Sequence, residues 1–313
     1  MAPSSASGGE PRQALAAGVG AYLLWGFLPL YFHLLAGFGV GSAEMIAHRT
    51  LWAVIWAFGL VLTSRQVPQV ARVLREPRTL LVLAMSTVAI LANWTIYVIA
   101  VNHGKVLETS LGYYINPLLN MAVGAVLFRD RMTSEGKIAI GLAVVGVAVQ
   151  AFALGHLPLV SLALAFSFCL YGVIRKQVQA DAQTGLFVEC LYLTLPGAAY
   201  VLWLEWTGAG HLREGFGVAA LLLAAGPATV VPLALFAWSA RRLTMTALGF
   251  LQFLAPTLQF AIGVWLGEAL TPLRIVSFAF IWAGVAVFAW GIVRGSRALR
   301  PSTRPLARAA QDD

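Results

Sequence analysis

Three ionisable side chains break into otherwise apolar runs: His48 and Arg49 side by side near the start of one run, and Glu189 near the start of another. A charged group within a membrane-length segment costs about 2.5 to 3.5 kcal/mol on insertion scales, so such residues usually face a cavity or a partner. A cation, an imidazole and a carboxylate in those places can hold a charged solute or pass a proton, and Glu189 is the candidate for proton coupling. A structural reading stays open beside it. Arg49 and Glu189 both lie close enough to a span end for their stems to reach the headgroups.

Two further groups accompany them. Gly112 and Pro117 in one run, with Gly249 and Pro256 in another, combine small residues that let backbones approach with prolines that leave a carbonyl unpaired. These are candidate hinge or packing positions. Asn116 and Gln252 lie nearby, either tying helices together or touching solute. Aromatic and amide side chains at Tyr22, Trp25, Asn93, Trp94, Tyr97, Tyr113 and Tyr171 could line an amphipathic cavity that favours flat or lipophilic ligands. Trp203, Trp206 and Trp290 fall near span ends, where belt anchoring accounts for them.

Catalysis has no support. There is no glycine-rich loop ending in Lys-Ser/Thr to cradle phosphates, the five histidines show no metal-ligand spacing, and no acid pair shares a span. No cofactor or metal is expected. Cys169 and Cys190 sit within apolar runs and read as small hydrophobes, not as a disulfide framework.

The elements that position these residues follow from composition. Of 313 residues, 59% are hydrophobic and only 11% charged, with a mean hydropathy of +0.80, whereas about a quarter of a soluble domain is charged. The chain is an all-α, polytopic integral membrane protein. Taking roughly 20 apolar residues as a crossing, ten spans are predicted: 14–36, 43–63, 79–101, 107–128, 135–154, 157–175, 185–204, 217–238, 245–267 and 272–294. Residues 1–13 read as a disordered tail and 295–313 as a basic one. The net charge of +8 is spread between spans, which argues against nucleic acid as a partner. The expected partners are a small-molecule substrate and the lipid bilayer; assembly as a homodimer stays open.

Of the 21 Lys and Arg residues, 17 fall in the tails and alternate loops on one side, which places both termini in the cytoplasm. The chain also states itself twice. Laying Pro117 on Pro256, an offset of 139, brings Asn120 onto Gln259 and Gly124 onto Gly263, and Gly146-Val147-Ala148-Val149 recurs as Gly284-Val285-Ala286-Val287. Two repeats are expected, 14–154 and 157–294. Five spans per repeat is an odd number, so the second enters from the opposite side. Inverted repeats place a binding site near the midplane and work by alternating access.

With Trp25-Gly26 in the first span, Ala47-His48-Arg49 in the second, Asn93-Trp94 in the third and the stretch Glu108 to Asn120 in the fourth, the chain resembles the EamA-type transporters of the drug/metabolite transporter superfamily. It is most similar to the RarD branch, labelled chloramphenicol-sensitive permeases. Leu164 to Phe168, Ala182 to Gly185 and Phe278 to Trp282 add to the match, which spans all but the tails. The resemblance implies a bacterial inner-membrane permease of ten helices in two inverted halves, exporting small metabolites or drugs, in some members with protons. Helix nine lacks the Asn that precedes Pro117, so the halves differ chemically at the kink. An uncoupled uniporter is the alternative, with a membrane-embedded lipid-modifying enzyme behind it.

Overall fold

A computed structural model describes residues 10–127, 133–240, 242–243 and 251–298. Gly249, part of the ninth expected span and most of both expected tails lie outside the described residues. Among the described residues the chain is helical throughout: α1 (Glu10–Gly37), α2 (Ser42–Thr63), α3 (Val67–Val73), α4 (Pro77–Asn102), α5 (Val106–Leu127), α6 (Ser134–Leu154), α7 (Leu159–Gln177), α8 (Ala182–Thr207), α9 (Phe216–Ala240), α10 (Leu254–Trp265) and α11 (Pro272–Ala298). Nine of the ten expected spans each fall on one helix over their described residues, while of the ninth only 251–267 is described and α10 covers Leu254–Trp265 of it. Seven (α1, α2, α4, α6, α8, α9 and α11) are long and apolar enough to cross a membrane, while α7 and α10 are shorter apolar helices. In α5, Glu108, Thr109, Ser110, Asn116 and Asn120 dilute the apolar pattern.

The short helix α3 was not among the expected elements. Pro68 opens it, where a missing N–H costs nothing, and it buries Val70 and Val73. Beside it, the side-chain oxygen of Gln66 accepts from the backbone N–H and hydroxyl of Thr184, at 3.1 and 2.9 Å. This docks the start of α8 on the end of α2.

The principal pairings put α2 against α8 and α9, α1 against α9 and α10, α4 against α7 and α8, α5 against α7 and α10, and α6 against α11. Close approach rests on small residues. A Cβ on Gly146 would stand 2.9 Å from the Ser277 carbonyl, and one on Gly284 would stand 2.9 Å from the Ala139 carbonyl. Each glycine thus meets the backbone seven residues before its counterpart, and the Ser277 hydroxyl donates to the Gly146 carbonyl at 2.8 Å. At Gly112 a Cβ would lie 2.8 Å from the Ser161 carbonyl, so this glycine seats α7 on α5.

Connections gather at two ends. At one, where α2, α5 and α9 begin, the N–H of His211 donates to Glu44 at 2.9 Å. There Glu268, in the α10–α11 turn, accepts the N–H groups of Val106 and Leu107 at the start of α5. Orphan N–H groups at a helix start are worth about 1 kcal/mol when capped. Glu268→Ala is therefore expected to lower stability by about 1 to 2 kcal/mol, read as a lower midpoint of thermal unfolding in detergent. We call this the far end and the opposite one, where α1, α4 and α8 begin, the near end.

The expected kinks differ from each other. Pro117 lies inside an uninterrupted α5. Pro256 lies in the first turn of α10, after a turn at Gln252 and Phe253. The helices meet there: the Ser110 hydroxyl donates to the Pro256 carbonyl at 2.7 Å, and the hydroxyls of Tyr114 and Thr257 are 2.7 Å apart.

Candidate functional site

Glu189 lies seven residues into α8 from the near end and is only 3% exposed, so it does not reach the headgroups. One carboxylate oxygen accepts from the Ser86 hydroxyl of α4 at 2.5 Å and pairs with Arg175 Nε of α7 at 3.7 Å. The other accepts from the Tyr171 hydroxyl at 3.3 Å. Three helices therefore meet on one carboxylate. Arg175 was expected among the loop charges at a span end, but its guanidinium folds back over Gly185, where any side chain would collide with it. Its Nη2 donates to the Ala182 carbonyl at 3.3 Å. Glycine at 185 is what opens the space for the ion pair.

Arg49 lies seven residues into α2 from the far end, mirroring Glu189 in depth, and is 6% exposed. It does not snorkel either. Its Nε donates to the Thr229 hydroxyl of α9 at 3.0 Å, and its guanidinium carbon stands 4.3 Å from the centre of the Trp94 ring, a cation–π contact. Among the described residues no carboxylate pairs with it. The two buried charges are thus built differently: Glu189 has a partner for each oxygen, whereas among the described residues Arg49 has neither a counter-ion nor a bond from its terminal nitrogens.

His48, expected to share the charge handling of Arg49, belongs to a separate group. Fully buried, it accepts at Nδ1 from the Trp52 indole N–H at 2.9 Å. Its Nε2, which must carry the proton in that tautomer, stands 3.9 Å from Glu44. Glu44 in turn is 2.7 Å from His211 Nδ1. This is a far-end clasp between α2 and the α8–α9 connection.

Several expected lining residues do come together. Ring centroids step from Tyr97 to Tyr113 (5.6 Å), Tyr113 to Phe168 (6.5 Å) and Phe168 to Tyr171 (6.1 Å), ending at the Tyr171 bond to Glu189. This aromatic ladder runs through α4, α5 and α7. The Tyr97 hydroxyl is buried and has no partner among the described residues. Asn93 donates to the Leu164 carbonyl and the Ser167 hydroxyl, both at 3.0 Å, and so ties α4 to α7. The Tyr22 and Trp25 rings, 5.3 Å apart, pack with Phe236 in a different cluster on α1 and α9. Asn116 is buried with its side-chain oxygen unpartnered among the described residues, and Gln252 sits half-buried in the turn before α10.

Sequence reasoning missed Arg175, Ser86, Thr229, Glu44 and His211. Ser86 and Thr229 carried a faint signal as hydroxyls in mid-span. Arg175, Glu44 and His211 looked like ordinary charges at span ends.

A model of the EamA-like transporter family matches residues 12–152. The protein RarD of Salmonella typhi is 39% identical over 281 residues, covering 89% of this chain and 95% of that protein. A protein of Pseudomonas aeruginosa described as an uncharacterized transporter is 41% identical over 293 residues, covering 92% and 97%. A solved crystal structure, described only as that of a protein, superposes with a TM-score of 0.59 at 20% identity over 92% of this chain and 99% of that one, and so shares the fold.

Proposed function

Because the chain belongs to the RarD-type group of the EamA-like transporter family, and is therefore a multi-pass membrane transporter, we propose that it exports a small organic solute by alternating access coupled to protons. The membrane is the bacterial inner membrane, with both termini in the cytoplasm, in line with the 17 of 21 basic residues on that side. The architecture proposed is ten spans in two inverted halves, 14–154 and 157–294.

One observation carries this reading. When α1, α2, α4, α5 and α6 are exchanged with α7, α8, α9, α10 and α11, the pairing of α1 with α9 becomes that of α7 with α4. The pairing of α5 with α7 becomes that of α10 with α1, and α2–α8, α5–α10 and α6–α11 map onto themselves. Principal pairings that exchange in this way are what a pseudo-two-fold carrier requires, and they support rocking of the halves about a site between them. The near-end ion pair supports Glu189 as the coupling group, since a proton on its carboxylate would cancel the attraction for Arg175 and loosen α7 from α8.

Flux into proteoliposomes holding the purified protein tests this, with and without an imposed pH gradient, against amino acids, nucleobases and chloramphenicol. Gradient-driven flux that disappears in Glu189→Gln is the expected result. If that variant retains gradient dependence, Glu189 loses its role. A second reading, uncoupled uniport, is favoured by the full set of partners around Glu189, which leaves the carboxylate a purely structural explanation; saturable flux indifferent to the gradient would select it.

A further inference from the structure

We propose that Arg49 is the seat of an anionic group on the transported solute, so that the substrate class is small organic acids with a flat or apolar body. The proposal rests on the transporter reading given above. A guanidinium presents five N–H donors in a fixed fork that matches a carboxylate. Here Thr229 takes one of them, at Nε, and the Trp94 face covers the charge from one side.

The two terminal nitrogens have no hydrogen-bond partner among the described residues. They are also absent from the polar atoms that are both sealed from solvent and unpartnered, a set that does include Arg175 Nη1 and the Tyr97 hydroxyl. The terminal nitrogens therefore keep a little accessible surface in a side chain that is otherwise buried, 6% exposed. Thr229 and Trp94 hold it in one orientation, as a recognition element requires, yet nothing on the described chain neutralises it. Burial of a lone charge is unfavourable unless something pairs with it, and the missing partner is an anion supplied by the solute. Tyr97, one turn beyond Asn93 and Trp94 on α4, heads the aromatic ladder, which offers ring faces to the uncharged remainder of the molecule. Glu189 cannot fill the role in reverse for a cation, because Ser86, Tyr171 and Arg175 already occupy its oxygens.

The test is ligand-induced thermal stabilisation of the detergent-purified, full-length protein by matched pairs, benzoate against benzamide and cyclohexanecarboxylate against its amide, with chloride and phosphate as separate probes. The acids are expected to bind about tenfold or more tightly than their amides, the factor a charge-assisted hydrogen bond confers. Arg49→Gln should erase that preference, Arg49→Lys should keep part of it, and Thr229→Val, which frees the fork to swing, should weaken acid binding with the charge still present. Without ligand, Arg49→Gln should unfold at the wild-type temperature or above it, because it removes an uncompensated charge; a purely structural arginine would give a lower one.

Equal binding of acids and amides, an acid preference that survives Arg49→Gln, binding by neither class, or stabilisation by chloride or phosphate alone would each overturn the proposal. Saturable flux of neutral solutes without acid binding would leave the transporter reading standing while this one falls. Acid binding without flux of any solute would keep the anion site at Arg49 but overturn the export reading, and with it the claim that the bound anion is the transported solute.

Discussion

Arg175→Ala is expected to lower the free energy of unfolding by about 3 kcal/mol, near the low end of what removing one partner from a buried ion pair costs. The low end applies because the Arg175 side chain keeps 15% of its accessibility, so part of the charge is still hydrated in the native protein. Glu189 is the more deeply buried partner and cannot leave. It bonds Ser86 of α4 and Tyr171 of α7, and without the guanidinium its charge stays between three helices with no cation beside it. Glu189→Gln should cost less, since the amide oxygen still accepts from a hydroxyl and Arg175 can turn toward water. The double variant, Arg175→Ala with Glu189→Gln, should be more stable than Arg175→Ala alone. Thermal or denaturant unfolding of all three proteins in one detergent measures this. Strictly additive losses would show that the two side chains are not coupled.

The second large effect is expected where α6 crosses α11. Gly146→Leu and Gly284→Leu should each destabilise by about 2 to 3 kcal/mol, in the overpacking range. Both first carbons would stand 2.9 Å from a backbone carbonyl, Ser277 for one and Ala139 for the other. Backbone cannot swing aside as a flexible side chain can, so the helices must separate. Separation would also break the bond from the Ser277 hydroxyl to the Gly146 carbonyl. The two variants should fall by similar amounts because each glycine meets the partner helix at the same step along the repeat. If one leucine were tolerated and the other not, the crossing would lack the equivalence that the duplicated Gly-Val-Ala-Val motif implies.

Hydropathy was enough to locate the long helices, because a crossing needs so many consecutive apolar residues that few other arrangements produce the pattern. It could not find α3, whose seven residues bury only Val70 and Val73 and whose position depends on Gln66 meeting the start of α8. Arg49 and Glu189 stood out for the same reason as the helices, as charges in the wrong solvent. Arg175 did not, because a cation at the end of an apolar run is also what a cytoplasmic loop looks like. Only the reversal of the chain between α7 and α8, and the bare backbone at Gly185, turn it inward. His48 shows the opposite error. Its adjacency to Arg49 implied a shared task, but neighbouring residues on a helix diverge by about 100°, and the two side chains serve different contacts. The two prolines matched in sequence and differ in structure, since a turn at Gln252 and Phe253 precedes Pro256 and nothing comparable interrupts α5.

The Glu268 clasp bears on which parts of the molecule can move. By holding the first turn of α5 from the α10–α11 connection, it ties the far tips of α5 and α10 together across the boundary between the proposed halves. Under the proposed rocking of the halves, an opening toward the far side would have its fulcrum at that clasp, and its stroke would fall to the far-end tie between Glu44 and His211 and to the near-end meeting of α4, α7 and α8. If the halves rock as proposed, a covalent bridge between positions 106 and 268 should leave transport intact, whereas a bridge between 44 and 211 should arrest it.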